Sequence, residues 1–527
     1  MRHTINIYVK YNIVHFQAIL RKMEQQNLPF PIFLSFILFI IFVIVFRIWK
    51  KQHDPDSDHP PGPWKFPILG NLPHLLLSSD LTHQRLRALS LIHGPVMSFQ
   101  LGQVPAVVIC SAQVAKQVMK THAESFAERP MVLDVQIVLY NRNDILFGSY
   151  GAHWRQMRKI WILKFLSAKR VQSSKLIREE EVSDAVTFLR SKGGSPVNLT
   201  KVIFEFTNSI LIRTAVGKNC RQKERLLSIA DAVNETATSF GVADAFPSWK
   251  LLHYICGVKS KPERLHKETD QVLEEIINEH KAKEHLEGDN LLDVLLNLHN
   301  DGNLQVPLTN ESIKASILQM FTVGSETTSK VTEWAMAELM KNPNEMRKAQ
   351  EEVRRVFREK GKVDESRFQD MKFLKLIVKE TLRLHPPGAL IPRECRERTR
   401  IDGYDILPKT RIIVNAWAIG RDPNTWSEAT MFNPERFRDC AIDYKGTTCE
   451  LIPFGAGKRI CPGMTLGVTN LELFLGNLLY HFDWELADGI TPQTLDMSEA
   501  VGGAVRKKTD LKLIPIPYEA SLDSRKS

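Results

Sequence analysis

Residues 28–46 form an unbroken apolar run of nineteen in which Ser35 is the only polar residue. As a helix rising about 1.5 Å per residue the run covers roughly 28 Å, close to the hydrocarbon thickness of a bilayer. Arg47, Lys50 and Lys51 follow it, and no small-residue cleavage site does, so the pattern predicts a permanent transmembrane anchor over 28–49. Residues 1–22 carry Arg2, Lys10, Arg21 and Lys22, which would balance the basic flank beyond the helix. A start at Met23 leaves only Glu24 before the run and places everything after Lys50 in the cytosol. Residues 1–22 are therefore expected to be an upstream extension. A stiff hinge over 50–67 ends in Pro60-Pro61-Gly62-Pro63-Trp64, where successive prolines fix φ and remove donors.

From residue 68 to the C-terminus no comparable break occurs, and 3.6-residue periodicity dominates. It predicts long helices over 169–190, 263–285, 309–341 and 344–359, a basic amphipathic helix opening at His153, and an apolar helix over 466–479. Short alternating stretches predict strands at 96–101, 106–109 and 400–414, with Asp402-Gly403 as a hairpin turn. Residues 288–303, polar at both ends around a short apolar helix, read as a surface connection. The expectation is one large, mainly α domain with small β-sheets over 68–527.

Composition changes this picture little. An apolar fraction of 43% and a charged fraction of 25% are those of a globular chain. Seven cysteines, scattered and without a CxxC pair, argue against a disulfide scaffold and a zinc site. The net charge of +10 suits an acidic partner or anionic membrane, but no Lys/Arg tract points to nucleic acid.

The chemistry concentrates in Pro453-Phe454-Gly455-Ala456-Gly457-Lys458-Arg459-Ile460-Cys461-Pro462-Gly463. The glycines let the backbone take positive φ or approach a flat ligand, and nearby N–H groups and Arg459 favour a thiolate at Cys461. A lone cysteine is more often a buried structural residue. A phosphate loop is excluded, because Ile452 stands where the first glycine belongs and Arg459 where Ser or Thr belongs. Four further patterns accompany the loop. Trp154 and Arg158 share a helix face, and Phe321 to Thr328 puts Gly324, Glu326 and Thr327 in mid-helix, where a kink with room for a small ligand is expected. Glu380 and Arg383 are three apart in a helix stopped by Pro386-Pro387, and Phe432-Asn433-Pro434-Glu435-Arg436-Phe437 follows.

Together these motifs, in this order over about 60–517, resemble the cytochrome P450 family, in particular plant microsomal members of the A-type clan. The general likeness is to terpenoid oxidases, casbene-type diterpene oxidases of spurge-family plants among them. The resemblance implies a haem-thiolate monooxygenase: haem b with Cys461 as axial ligand of the iron, and Phe454 in the cofactor loop. It implies Trp154, Arg158, Arg393 and Arg459 on the haem propionates, and Glu326 and Thr327 managing protons for dioxygen. Val323 departs from the family's usual Ala or Gly and should narrow the space above the haem. Glu380, Arg383 and Arg436 are expected as a buried triad bracing the loop.

No nucleotide-binding Gly-x-Gly-x-x-Gly follows a strand, so electrons are expected from NADPH through a cytochrome P450 reductase in the same membrane, the endoplasmic reticulum. Arg155, Lys159, Lys164 and Lys458 are docking candidates. The substrate-facing segments implied are 131–147, 315–328, 388–392 and 501–504. Small uncharged residues at 388–390 and 502–504 suit a bulky apolar substrate such as a macrocyclic diterpenoid. Arg142 is the one basic residue there that could clamp a fatty-acid carboxylate, so fatty-acid oxidation remains an alternative. A haem-thiolate isomerase or a non-catalytic haem or sterol binder also remains open, though neither needs the Glu326-Thr327 pair. Mass spectrometry of the native N-terminus is expected to find Met23; Met1 would overturn the reading of residues 1–22.

Overall fold

The computed structural model describes residues 59–519 except 219, 238–240, 250–258 and 283–289, together with Ser35 and Phe39. The expected extension, the anchor over 28–49 and the hinge as far as residue 58 lie outside the described residues in all but those two positions. Among the described residues no helix is long and apolar enough to cross a membrane.

The helices that build the core are α1 (Ala152–Ile160), α2 (Lys175–Ser191), α3 (Leu199–Val216), α4 (Lys223–Ala237), α5 (Ser260–Lys281), α6 (Asn310–Lys341), α7 (Pro343–Phe357), α8 (Lys372–Leu384) and α9 (Met464–His481). The strands, in chain order, are β1 (Val96–Leu101), β2 (Val104–Ile109), β3 (Val197–Asn198), β4 (Leu390–Glu394), β5 (Thr399–Ile401), β6 (Tyr404–Ile406), β7 (Arg411–Asn415), β8 (Phe482–Leu486), β9 (Glu499–Ala500), β10 (Arg506–Lys507) and β11 (Lys512–Pro517). One sheet runs β1-β2-β7-β4, with β2 and β7 parallel and its other pairs antiparallel. The remaining pairings are β3-β11-β8, β5-β6 and β9-β10. Asp402 and Gly403 both take positive φ, 51° and 85°, in the β5–β6 hairpin, as the Asp-Gly signal requires.

Helix α6 is the axis of the core and lies against α3, α4, α8 and α9. Its fit against α3 explains one residue the sequence assigned to a weak point. A Cβ on Gly324 would lie 3.2 Å from Leu211 Cδ1, so the glycine serves close helix packing. The helix continues unbroken through 321–330, contrary to the expected kink. Its hydroxyls are absorbed locally: Thr322, Ser325, Thr327 and Thr332 donate to carbonyls four residues back. Phe206 of α3 stacks on Phe474 of α9 with centroids 4.0 Å apart, fixing the spacing of the two helices.

The expected helix over 169–190 is divided: 168–173 form a short helix and α2 begins after Ser174. The stretch read as a surface connection contains a helix, Leu291–Asp301, whose Leu291, Leu292 and Leu295 are wholly buried. The short apolar helix was expected there; its place in the core, and not on the surface, is the correction. Six cysteines among the described residues are free thiols.

Helix α8 is positioned by a carboxylate from its neighbour. Glu352 of α7, itself buried, accepts from the Phe373 and Leu374 N–H groups at 2.8 and 2.9 Å, satisfying donors that the first turn of α8 leaves open. Glu352→Ala is expected to cost about 2–3 kcal/mol, since two charge-assisted bonds go and two buried donors are stranded. A smaller loss of thermal stability in Glu352→Gln, which keeps one acceptor, distinguishes this cap from simple packing.

Candidate active site

The cysteine loop is built by backbone conformations few residues can adopt. Gly455 and Gly457 take φ of 70° and 68°, and a Cβ on Gly457 would lie 1.7 Å from the Met119 carbonyl oxygen. Gly463 has an ordinary φ of −87°; its backbone N–H points at the Cys461 sulfur. The Cys461 N–H donates to the Phe454 carbonyl at 2.9 Å and closes the loop. Phe454 packs edge-on to Tyr444 beside Val331, Val378 and Leu471.

Cys461 lies deep in the protein yet keeps part of its surface accessible, so the sulfur opens on an internal space. Burial pushes the thiol up; the Gly463 N–H, Arg158 and Arg129 pull it back toward the thiolate. Helix α6 also carries a partly accessible stretch. Residues 312–322 and 331–340 are fully buried, whereas Val323, Gly324, Glu326, Thr327, Thr328 and Lys330 between them are partly accessible. Helix α9, which starts three residues after the cysteine, meets α6 here: a Cβ on Gly467 would be 3.5 Å from Thr328 Oγ1.

Four guanidinium groups lie close together here: Arg158 and Arg129 act on the Cys461 sulfur, and Arg393 faces both of them and Arg459. Arg393, fully enclosed, is driven well below the usual arginine range by burial and by the charges of Arg129, Arg459 and Arg158. Burial also lowers Arg129 to about 10 and Arg459 to about 9, and shifts Arg158 down. Arg129 was not singled out from the sequence; a basic residue between Glu128 and Pro130, ahead of an apolar segment, was the available signal.

These groups are not equivalent. Arg459 donates to the carbonyls of Ala127 at 2.8 Å and Gly148 at 2.6 Å, and at 3.4 Å to that of Ile145. Arg158 donates to the Ile460 carbonyl at 2.6 Å. The Trp154 indole N–H, expected near a propionate, donates to the Ile145 carbonyl at 2.9 Å, with the Arg459 guanidinium over its ring. By contrast Arg393 Nη2 and Arg129 Nε are buried without a partner. Arg393 spends Nη1 on the Pro392 carbonyl at 2.8 Å, and Asp144 acts on Arg129. Yet open buried N–H groups on clustered cations near an accessible cysteine suit a ligand that brings its own negative charge and a thiophilic metal. Haem, with two propionates and an iron atom, has that donor and charge pattern.

Glu380, Arg383 and Arg436 are brought together. Arg383 binds Glu380 bidentately with both bonds at 2.7 Å, and Arg436 Nε reaches the same carboxylate at 3.0 Å. The Asn433 N–H adds a fourth bond at 2.8 Å. Arg383 also donates to the carbonyls of Gly420, Ala429 and Met431. The triad thus ties α8 to the irregular chain leading to the cysteine loop.

Glu380→Ala is expected to cost about 3–5 kcal/mol, because two buried arginines lose their counter-charge. Loss of folded, haem-loaded protein on purification checks it. The whole chain can be set beside known proteins. A family model described as Cytochrome P450 matches residues 60–514. The chain is 62% identical over 501 residues to "Cytochrome P450 726A27" of Euphorbia lathyris, covering 95% of this chain and all of that protein. It is 47% identical to premnaspirodiene oxygenase of Hyoscyamus muticus, over 92% of this chain and 98% of that one. It is 46% identical to 5-epiaristolochene 1,3-dihydroxylase of Nicotiana tabacum, with the same coverage of 92% and 98%. A zebra fish cytochrome P450 solved with abiraterone superposes with a TM-score of 0.72 at 22% identity, over 83% of this chain and 99% of that one, which is a likeness of fold. With the cysteine loop, the buried triad and a family match over most of its length, the chain belongs to the cytochrome P450 family and is a monooxygenase of it.

Proposed function

We propose that this monooxygenase inserts one oxygen atom from O2 into a bulky apolar terpenoid, a macrocyclic diterpenoid being the class that fits best. The observation that carries the choice is the state of Arg142. The one basic residue in the substrate-facing segments that could clamp a carboxylate donates to Glu128 at 2.8 Å and to Ser149 at 2.5 Å. Its charge is already met, which disfavours a fatty acid. The exposed Gly388 leaves room for a bulky molecule in its segment, since a Cβ there would meet nothing within 4 Å. Two relatives are named for oxidising premnaspirodiene and 5-epiaristolochene, both terpene hydrocarbons.

Haem b, when bound, supplies the iron at which dioxygen is activated. Cys461 would hold it through the thiolate, and Arg393 and Arg129 would receive the propionates with their open N–H groups. Arg158 and Trp154 would flank them, and Arg459 would hold the loop against Ala127 and Gly148. On the other side, Thr327 would present its hydroxyl and Glu326 the proton reserve. Burial shifts the Glu326 carboxyl up, toward the range where an acid can give and recover a proton near neutrality. The Thr327 hydroxyl now donates to the Val323 carbonyl at 2.9 Å, and turning it toward a ligand costs about 1 kcal/mol.

Electrons would come from NADPH through a cytochrome P450 reductase, with both proteins anchored in the endoplasmic reticulum membrane. Arg155, Lys159 and Lys164 are exposed beside the apolar Leu163 and would form the docking face. Lys458 is already paired with Glu124 and Tyr150, so it would contribute less.

Microsomes carrying the protein and a reductase, given NADPH and a panel of diterpenes and fatty acids, test the proposal. Oxygenated diterpene is the expected product. Fatty-acid products alone would overturn the substrate, and no oxygenated product from any panel member would favour an isomerase or a binder. Thr327→Ala is expected to keep the reduced carbon monoxide spectrum of a thiolate-ligated haem while releasing peroxide at the expense of product; unchanged coupling would remove Thr327 from the proton path.

A further inference from the structure

The Glu326 carboxylate does not point along α6. It is turned against the turn that joins β9 to β10, where its oxygens lie close to two glycines. A Cβ on Gly503 would be 2.2 Å from Glu326 Oε2 and 3.1 Å from Cδ, and one on Gly502 would be 3.1 Å from Oε1. The backbone N–H of Ala504 donates to the same carboxylate. A side chain at 503 would displace the carboxylate from this position, and one at 502 would also crowd the Ala504 carbonyl at 3.0 Å.

The legs of this hairpin are fixed independently. On the β9 side Glu499 accepts from His83 at 2.8 Å and from the Trp417 indole at 2.9 Å. On the β10 side the Val505 N–H donates to the Pro387 carbonyl at 3.0 Å, and its carbonyl accepts from Trp334 at 3.3 Å. With both legs anchored, the tip reaches α6 at Glu326. The charged groups facing that carboxylate come from three elements: Lys330 of α6, Asp231 of α4 and Arg506 of β10.

We infer that the Gly502-Gly503-Ala504 turn is a positioning element for the acid of α6: its amide and its bare backbone hold the Glu326 carboxylate in a defined place, so that the hairpin tip and the proton reserve move as one unit. The inference rests on the proton role given to Glu326 above, but the latch itself is a matter of structure and is read separately. It also reassigns two glycines. Their small size, read from the sequence as room for a bulky substrate, also lets the carboxylate lie against the turn.

Hydrogen–deuterium exchange on the full-length, haem-loaded enzyme, followed in peptides covering 499–507, tests the latch. Glu326→Ala is expected to speed exchange at the Ala504 amide about tenfold, the loss of one charge-assisted bond of about 1.4 kcal/mol. Glu326→Gln, whose side-chain carbonyl still accepts, retains part of the protection. Gly503→Ala leaves the carboxyl group in the chain but displaces it, and produces the same rise. Unchanged exchange in Glu326→Ala overturns the latch, and that variant decides the matter if Gly503→Ala fails to load haem. The ratio of product to NADPH consumed is measured on the same samples. Faster exchange with a lower ratio supports both the latch and the proton role. Faster exchange with an unchanged ratio supports the latch while removing Glu326 as the proton source.

Discussion

Concentrated positive charge in a place with little water is the constraint around which this molecule is arranged. Arg129, Arg158, Arg393 and Arg459 are each shifted down by burial, and the most enclosed of them feels the other three. Like charges in a medium of low dielectric repel strongly, and the nearby carboxyl groups of Asp144 and Glu128 offset only part of that at Arg129 and Arg459. The chain meets part of the demand itself. Arg459 and Arg158 are wrapped in backbone carbonyls, which supply partial negative charge without a proton to lose. Single N–H groups are left open at Arg393 and Arg129, where a dianionic cofactor would fit.

A second cluster of arginines solves the same problem differently. Around Glu380 one carboxylate serves two guanidiniums, and carbonyls from the chain after Gly420 take the remaining donors. No open N–H group is needed there, because the task is to hold an irregular chain in one conformation. The segment 144–148 plays a comparable part on the other side of the site. Asp144 accepts from Leu146, Phe147 and Gln319 of α6, while the carbonyls of Ile145 and Gly148 receive Trp154 and Arg459. Irregular backbone is thus fixed by side chains from regular elements on both flanks of the cysteine.

What could be read in advance follows from how local each signal is. The cysteine loop, the Asp402-Gly403 hairpin and the length of α6 were legible because spacing and backbone freedom are properties of neighbouring residues. The triad was legible only through family likeness, since Glu380 and Arg436 are separated by 56 positions and no periodicity links them. Arg129 escaped notice because a lone arginine carries no sign that its surroundings are apolar. The buried helix after Asn290 was misread for the related reason that burial is decided by partners distant in sequence. Gly324 and Gly503 were each assigned to empty space, when both answer to a contact: a leucine of α3 in one case, a carboxylate of α6 in the other.

The hairpin tip has a consequence for how such an enzyme can diversify. A pocket wall is ordinarily free to change, since a larger or smaller side chain trades one substrate shape for another. At Gly503 that freedom is reduced, because an added carbon meets the Glu326 carboxylate and would have to displace it. At Gly388 the same addition meets open space. Two glycines of like appearance therefore differ in what an added side chain would disturb: at 503 the acid of α6 moves, at 388 nothing does.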